Sequence, residues 1–92
     1  MTVTHRTALI TGGASGIGRA TVQIFAEAGA RVLLADIDQT RGEQAVAELR
    51  AQGHSAEFVA IDLTDAANVD ASAAQVLARF GAPDILVNGA GW

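Results

Sequence analysis

Lysine, tyrosine and cysteine are all missing from this chain of 92 residues, and each absence closes off a chemistry. Without cysteine there is no disulfide framework and no cysteine-based metal or redox site. Without lysine, the phosphate loop of nucleoside triphosphatases, whose last glycine is followed by one, is excluded. The six basic residues are all arginines, at positions 6, 19, 31, 41, 50 and 79, and ten acidic residues outnumber them for a net charge of −4. The arginines are scattered, so no basic stripe exists to neutralise phosphates, and nucleic acid is not expected as a partner. Aromatic residues are few, three phenylalanines and one tryptophan, so the core must be aliphatic. No apolar run approaches the ~20 residues of a membrane-spanning helix. The N-terminus also lacks the charged-then-apolar layout of a secretory signal. A cytoplasmic protein with no metal site is the expectation. His5 and His54 have no ligand cluster around them and read as surface residues.

What the chain does contain is a regular alternation of short apolar runs and longer segments of helical periodicity. The apolar runs cover residues 8–11, 32–35, 58–61 and 85–87. They are solid rather than alternating, as parallel strands covered on both faces require. Three helices are predicted between them. The first, over 16–28, carries Ile17, Ala20, Ile24, Phe25 and Ala28 as its apolar stripe and stops at Gly29. The second, over 39–52, uses Ala45, Val46 and Leu49, with Asp38 as N-cap and Gly53 as stop. The third, over 65–80, uses Val69, Ala73, Val76, Leu77 and Phe80, is capped by Thr64 or Asp65, and ends at Gly81 with Pro83 beyond. Right-handed crossovers place the first three strands side by side as 3-2-1, and the fourth starts the other half of the sheet. The fold class is therefore α/β, a doubly wound parallel sheet with strand order 3-2-1-4.

Four places on this frame carry chemistry. The first is the turn over residues 11–18, Thr-Gly-Gly-Ala-Ser-Gly-Ile-Gly, between the first strand and the first helix. A structural turn needs one or two glycines. Here there are four, which lets the backbone pass close to a pyrophosphate while the first N–H groups of the helix point at it. Gly12, Ser15, Gly16, Ile17 and Gly18 are assigned to that role, Ser15 as a phosphate-facing hydroxyl. The second is Asp36, which ends the next apolar run about where a ribose-binding carboxylate belongs. It reads either as a solvated strand-end acid or as that carboxylate, and Asp38 is the better cap for the following helix. A carboxylate there repels a 2′-phosphate and selects NAD over NADP. The third is the pair Asp62 and Leu63, expected to close the third strand, either as a strand end and cap or as an adenine contact. The fourth is residues 88–91, Asn-Gly-Ala-Gly, a plain glycine turn or a place of close approach to a ribose; Asn88, Ala90 and Gly91 are the binding candidates.

Taken together, residues 11–18, Asp36, Asp62-Leu63 and residues 88–91 resemble the N-terminal portion of the short-chain dehydrogenase/reductase family, over the whole chain and in the family's order. The resemblance implies a Rossmann-type fold and an NAD-dependent oxidoreductase acting on alcohols and ketones. It implies that the glycine turn holds the pyrophosphate, Asp36 the adenosine ribose, and Asp62-Leu63 the adenine. The family's Asn-Asn-Ala-Gly element then steadies the sheet beside the cofactor. Gly89 replaces the second asparagine of that element. The family's acid–base machinery is a tyrosine, a lysine four residues later and a serine, all beyond that element. With no tyrosine and no lysine, these 92 residues carry no such pair, and no catalytic residue is assigned among them. Met1 reads as a start, and the expectation is a sequence that breaks off inside its domain, residues 1–92 being the dinucleotide-binding half. The competing readings are a complete, non-catalytic NAD-binding module and a structural or dimerising remnant. Partners expected are NAD, an alcohol or ketone substrate in a full-length form, and a second copy of the chain.

Overall fold

A computed structural model describes residues 3–89. Seven elements follow one another: β1 (Thr7–Thr11), α1 (Gly16–Glu27), β2 (Arg31–Asp36), α2 (Gln39–Ala51), β3 (Ala56–Ala60), α3 (Ala66–Phe80) and β4 (Ile85–Asn88). The strands form one parallel sheet in the order β3-β2-β1-β4, as the crossover argument predicts. In register, Thr11 lies opposite both Ala35 and Asn88, and Asp36 lies opposite Ala60. The carboxyl ends of all four strands therefore finish level, on one edge of the sheet.

The sheet is covered unequally. One face carries α1 and α2 over a cluster built on Ile10, Val32, Leu34, Val22, Ala45, Val46 and Leu49. The other face carries α3 over Leu33, Ala35, Val59 and Val76. The aliphatic content foreseen from composition supplies both. Gly42 is buried in α2, where an added Cβ would overlap the ring of Phe58. On the α3 side, an apolar hollow of about 220 Å³ remains between the helix and the sheet, with Leu9, Val59, Val76 and Leu86 among its walls.

Two helices turn differently from their predicted stripes. In α1 the buried residues are Gly18, Val22 and Ala26, while Ile17 is 82% and Ile24 55% exposed. The reason is Gly18. A Cβ on it would overlap the Gly12 carbonyl oxygen, so the helix lies against the turn on its smallest face and its larger apolar residues rotate outward. In α3 the buried pair is Ser72 and Val76, and Leu77 is exposed. The Ser72 hydroxyl donates to the Ala60 carbonyl at 3.1 Å, which turns the 72/76 side inward.

All three helices stop at left-handed glycines, Gly29, Gly53 and Gly81, at φ of 97°, 89° and 78°. At that same end of the sheet Arg31 ties three elements together. Its guanidinium donates to the Thr7 hydroxyl and to the Phe80 carbonyl, each at 3.2 Å, and lies 5.3 Å from the centroid of the Phe80 ring. No helix among the described residues is long and apolar enough to cross a membrane. No cluster of three histidine, aspartate or glutamate side chains among them is placed to hold a metal ion.

Candidate functional site

The edge where the strands finish also holds the turns that carry the chemistry. Leaving β1, the chain takes a positive φ at Gly12 (67°) and again at Gly16 (58°). Between them Gly13 tucks against Leu34 and Val22, its N–H donating to the Ala35 carbonyl at 3.3 Å. The other three glycines of the turn serve different ends. Gly12 turns the backbone, Gly18 admits the helix, and Gly16 has nothing within 4 Å of where a Cβ would stand.

Capping singles out α1. In α2 the Asp38 carboxylate accepts from the Arg41 N–H at 3.0 Å, and in α3 the Asp65 carboxylate accepts from the N–H groups of Ala67 and Asn68. Ser15 stands at the N-cap of α1 in extended conformation and makes no side-chain cap bond. Ser15, Gly16 and Ile17 are exposed. An uncapped first turn leaves backbone N–H groups and the positive end of the helix dipole open to an anion.

Asp36 closes β2 beside this turn. One carboxylate oxygen accepts from the Ala14 N–H at 3.0 Å and the other from the Asp38 N–H at 2.9 Å. Asp38 therefore caps α2, as the sequence suggests, yet Asp36 is not idle: it fastens the glycine turn to the end of β2. A carboxylate offers about four lone-pair sites, so two accepted N–H bonds leave capacity for hydroxyl donors.

Asp62 and Leu63 lie beyond β3, which ends at Ala60, and this corrects the expectation that they close the strand. The physical cause is local. The Asp62 carboxylate accepts from the Thr64 hydroxyl at 2.6 Å and the Thr64 N–H at 3.0 Å, while its own N–H donates to the Asn68 side chain at 2.6 Å. These bonds turn the chain out of the ladder. The Thr64 hydroxyl, and after it the Thr64 N–H, hold the Asp62 carboxyl below its ordinary value of 3.8.

Gly12, Asp36, Asp62 and Leu63 come together in one cleft of about 230 Å³, completed by Ile37, Ile61 and Thr64. Ile37 is a residue that the reading of the sequence missed. It is 69% exposed at the rim, an isoleucine set between two aspartates, and that apolar residue in an acidic loop was the available signal. Ser15, Gly16 and Ile17 adjoin the cleft at the head of α1 rather than lining it. Asn88 sits across β1, where the Thr11 hydroxyl donates to its Oδ1 at 3.0 Å. Ala90 and Gly91 lie outside the described residues.

Comparison with known proteins agrees with this geometry. The pattern of the family described as short chain dehydrogenase matches residues 6–92. The 2,5-dichloro-2,5-cyclohexadiene-1,4-diol dehydrogenase LinX of Sphingobium indicum is 44% identical over 86 residues, 94% of this chain and 34% of the relative. Sorbitol dehydrogenase of Cereibacter sphaeroides is 44% identical over 90 residues, 98% of this chain and 34% of the relative. Among solved structures, L-sorbose reductase of Gluconobacter frateurii, complexed with NADPH and L-sorbose, superposes with a TM-score of 0.91 at 38% identity, covering 100% of this chain and 35% of its own. A short chain dehydrogenase/reductase of Burkholderia phymatum in complex with NAD gives 0.84 at 35% identity, covering 94% and 31%. The chain spans about a third of the length of the curated relatives it matches. With residues 6–92 matched and the parallel sheet shared, the chain belongs to the short chain dehydrogenase family.

Proposed function

We propose that residues 1–92 form the NAD(H)-binding half of a Rossmann domain in an oxidoreductase that interconverts alcohols and ketones. The observation that carries this reading is the Asp36 carboxylate at the end of β2, hydrogen-bonded to the glycine turn and lining the same cleft as Gly12, Asp62 and Leu63. The residues fit a dinucleotide. The uncapped turn at Ser15, Gly16, Ile17 and Gly18 receives the pyrophosphate, and Asp36 the adenosine ribose. Leu63, with Ile37 and Ile61, supplies apolar walls for the adenine. Asn88 holds the end of β4 beside the turn, and Ala90 and Gly91, next in sequence, are the remaining candidates for the ribose. When bound, the nicotinamide supplies the hydride acceptor or donor. These residues bind and orient it, and the acid–base pair falls to residues outside the 92, which contain neither tyrosine nor lysine.

The preference is for NAD over NADP. Asp36 would stand against a 2′-phosphate. Arg41, in the first turn of α2, lies 3.7 Å from the Asp38 carboxylate, which offsets its charge near the ribose. The two solved relatives hold NADPH in one case and NAD in the other, so the choice is set chain by chain. Calorimetric titration of the protein with each cofactor tests the reading. Tighter binding of NAD is expected, and equal or tighter binding of NADP overturns the assignment of Asp36.

A further inference from the structure

Three stretches of backbone meet behind the glycine turn with no side chain between them. They are the end of β1 at Thr11 and Gly12, the first turn of α1 at Gly18, and the end of β4 at Gly89. The Gly89 N–H donates to the Thr11 carbonyl at 2.8 Å. A Cβ on Gly89 would stand 2.7 Å from that carbonyl oxygen and 2.9 Å from the Gly18 Cα. Both are backbone atoms, so neither can swing aside as the tip of a flexible side chain would. The asparagine that the related sequence pattern carries at this position therefore does not fit this backbone unless both contacts are relieved.

We infer that Gly89 is a positioning residue for the pyrophosphate-facing turn: lacking a side chain, it lets the end of β4 rest on the first turn of α1 and fixes where that turn presents its N–H groups. The role presupposes the dinucleotide reading proposed above. Which partner yields to a Cβ follows from how each is held. The end of β4 is in register with β1 from Ala8 opposite Ile85 to Thr11 opposite Asn88. It is fastened again by the Thr11 hydroxyl, which lies 3.0 Å from Asn88 Oδ1 and 3.4 Å from the Val87 carbonyl. The head of α1 has no side-chain cap, and residues 15–17 are exposed. The end of β4 must ease off the Thr11 carbonyl, and of the two contacts the first turn of α1 is the softer, so a Cβ at position 89 shifts the anion-facing turn and leaves the Asp36 end of the cleft in place. Oriented sites tolerate displacements of only about 0.5 Å.

The consequence is a split between ligands that use the turn and ligands that do not. Titration by NMR with NAD, which carries the pyrophosphate, and with adenosine, which does not, reads it directly. In Gly89→Ala the dissociation constant for NAD is expected to rise by about tenfold or more, equivalent to ~1.4 kcal/mol, while that for adenosine stays within about twofold. Thr11→Val, which loosens the end of β4 without adding bulk there, is expected to show the same pattern at about threefold and keeps the inference testable if Gly89→Ala does not fold. A folded Gly89→Ala that binds NAD as the parent does overturns the role. So does a parallel loss of NAD and adenosine affinity, which marks general loosening; if Gly89→Ala does not fold, the same two results in Thr11→Val overturn it. A parent chain that binds adenosine but not NAD instead overturns the underlying dinucleotide reading, and the two failures are distinguishable.

Discussion

Replacing Asp36 by asparagine separates its two duties, because the amide keeps the shape of the carboxylate and loses its charge. The charge acts on a 2′-phosphate. At a separation of about 5 Å, one unit of like charge costs ~0.8 kcal/mol at the dielectric constant of water and ~3 kcal/mol at an effective value near 20. Asp36 is half-buried, so the discrimination lies between these limits, roughly 4-fold to 150-fold. The shape serves the turn. The carboxylate accepts from both Ala14 and Asp38, whereas an amide offers one acceptor and sets its NH₂ against the other N–H. Losing a hydrogen bond to a charged acceptor costs about 1.5–3 kcal/mol, less where water can replace it. NAD affinity therefore falls in Asp36→Asn even as the objection to NADP disappears. The ratio of the two affinities is the quantity to read, and it should move toward NADP by about tenfold. Asp36→Ala, which releases both N–H groups, should shift the ratio similarly while weakening both cofactors further. Calorimetry with NAD and NADP on the parent and both variants measures this. An unchanged ratio in a folded Asp36→Asn would refute the electrostatic argument. Raising salt should narrow the parent's preference, since a half-buried charge is partly screened.

Gly16→Val should abolish dinucleotide binding with helical content nearly intact, because position 16 faces open space in the free chain but requires a φ of 58° and borders the proposed phosphate path; retained binding places the ligand elsewhere. The Asp62 carboxyl, depressed by Thr64, contributes stability above its unfolded value of 3.8 that is lost as pH falls through its lower folded value. Thr64→Val removes the larger of the two causes, so NMR titration should find the Asp62 carboxyl closer to its ordinary value, and acid unfolding should begin at higher pH; an unmoved titration refutes the role of the hydroxyl. The 92 residues alone should reduce no ketone and oxidise no alcohol with NAD(H). A positioned acid–base group contributes about 10²–10⁴-fold, and neither tyrosine nor lysine is present; a protein-dependent rate surviving repurification refutes it.

The strand order and the three helices were legible because each rests on a strong local signal. Solid apolar runs mark the strands, and glycines at positions 29, 53 and 81 stop the helices where left-handed backbone is needed. Handedness of the crossovers does the rest. The facing of α1 was not legible, because hydrophobic periodicity weights Ile17 and Ile24 above Gly18, whereas the docking depends on the residue with no side chain. The turn at Asp62 was not legible, because an apolar run ending in an acid looks the same whether or not the acid turns back onto a nearby threonine. In the cleft, Gly12, Asp36, Asp62 and Leu63 were legible from motif spacing, and Ile37 was not, since a lone apolar residue in a loop carries no period. The fit of Gly89 was hidden for a different reason: it depends on an approach between residues 18 and 89, and no local pattern reports one.

Arg31 gives the molecule a sequence of events. Its guanidinium reaches Thr7 across 24 residues of chain and Phe80 across 49, so this tie to the end of α3 needs β1 and β2 already side by side. The α1–α2 face buries the larger cluster and the α3 face the smaller. Opening of α3 is then a local event that breaks the bonds of Phe80 to Arg31, Ser72 to Ala60 and Asn68 to Asp62 and uncovers four buried apolar side chains, leaving the other layer closed. In hydrogen exchange the amides of β1, β2 and α2 should report the global stability of the fold, and those of α3 a lower one. The loop from β3 to α3 carries Asp62, Leu63 and Thr64, so their side of the cleft breathes with α3 while the Asp36 end, held in the other layer, stays in place.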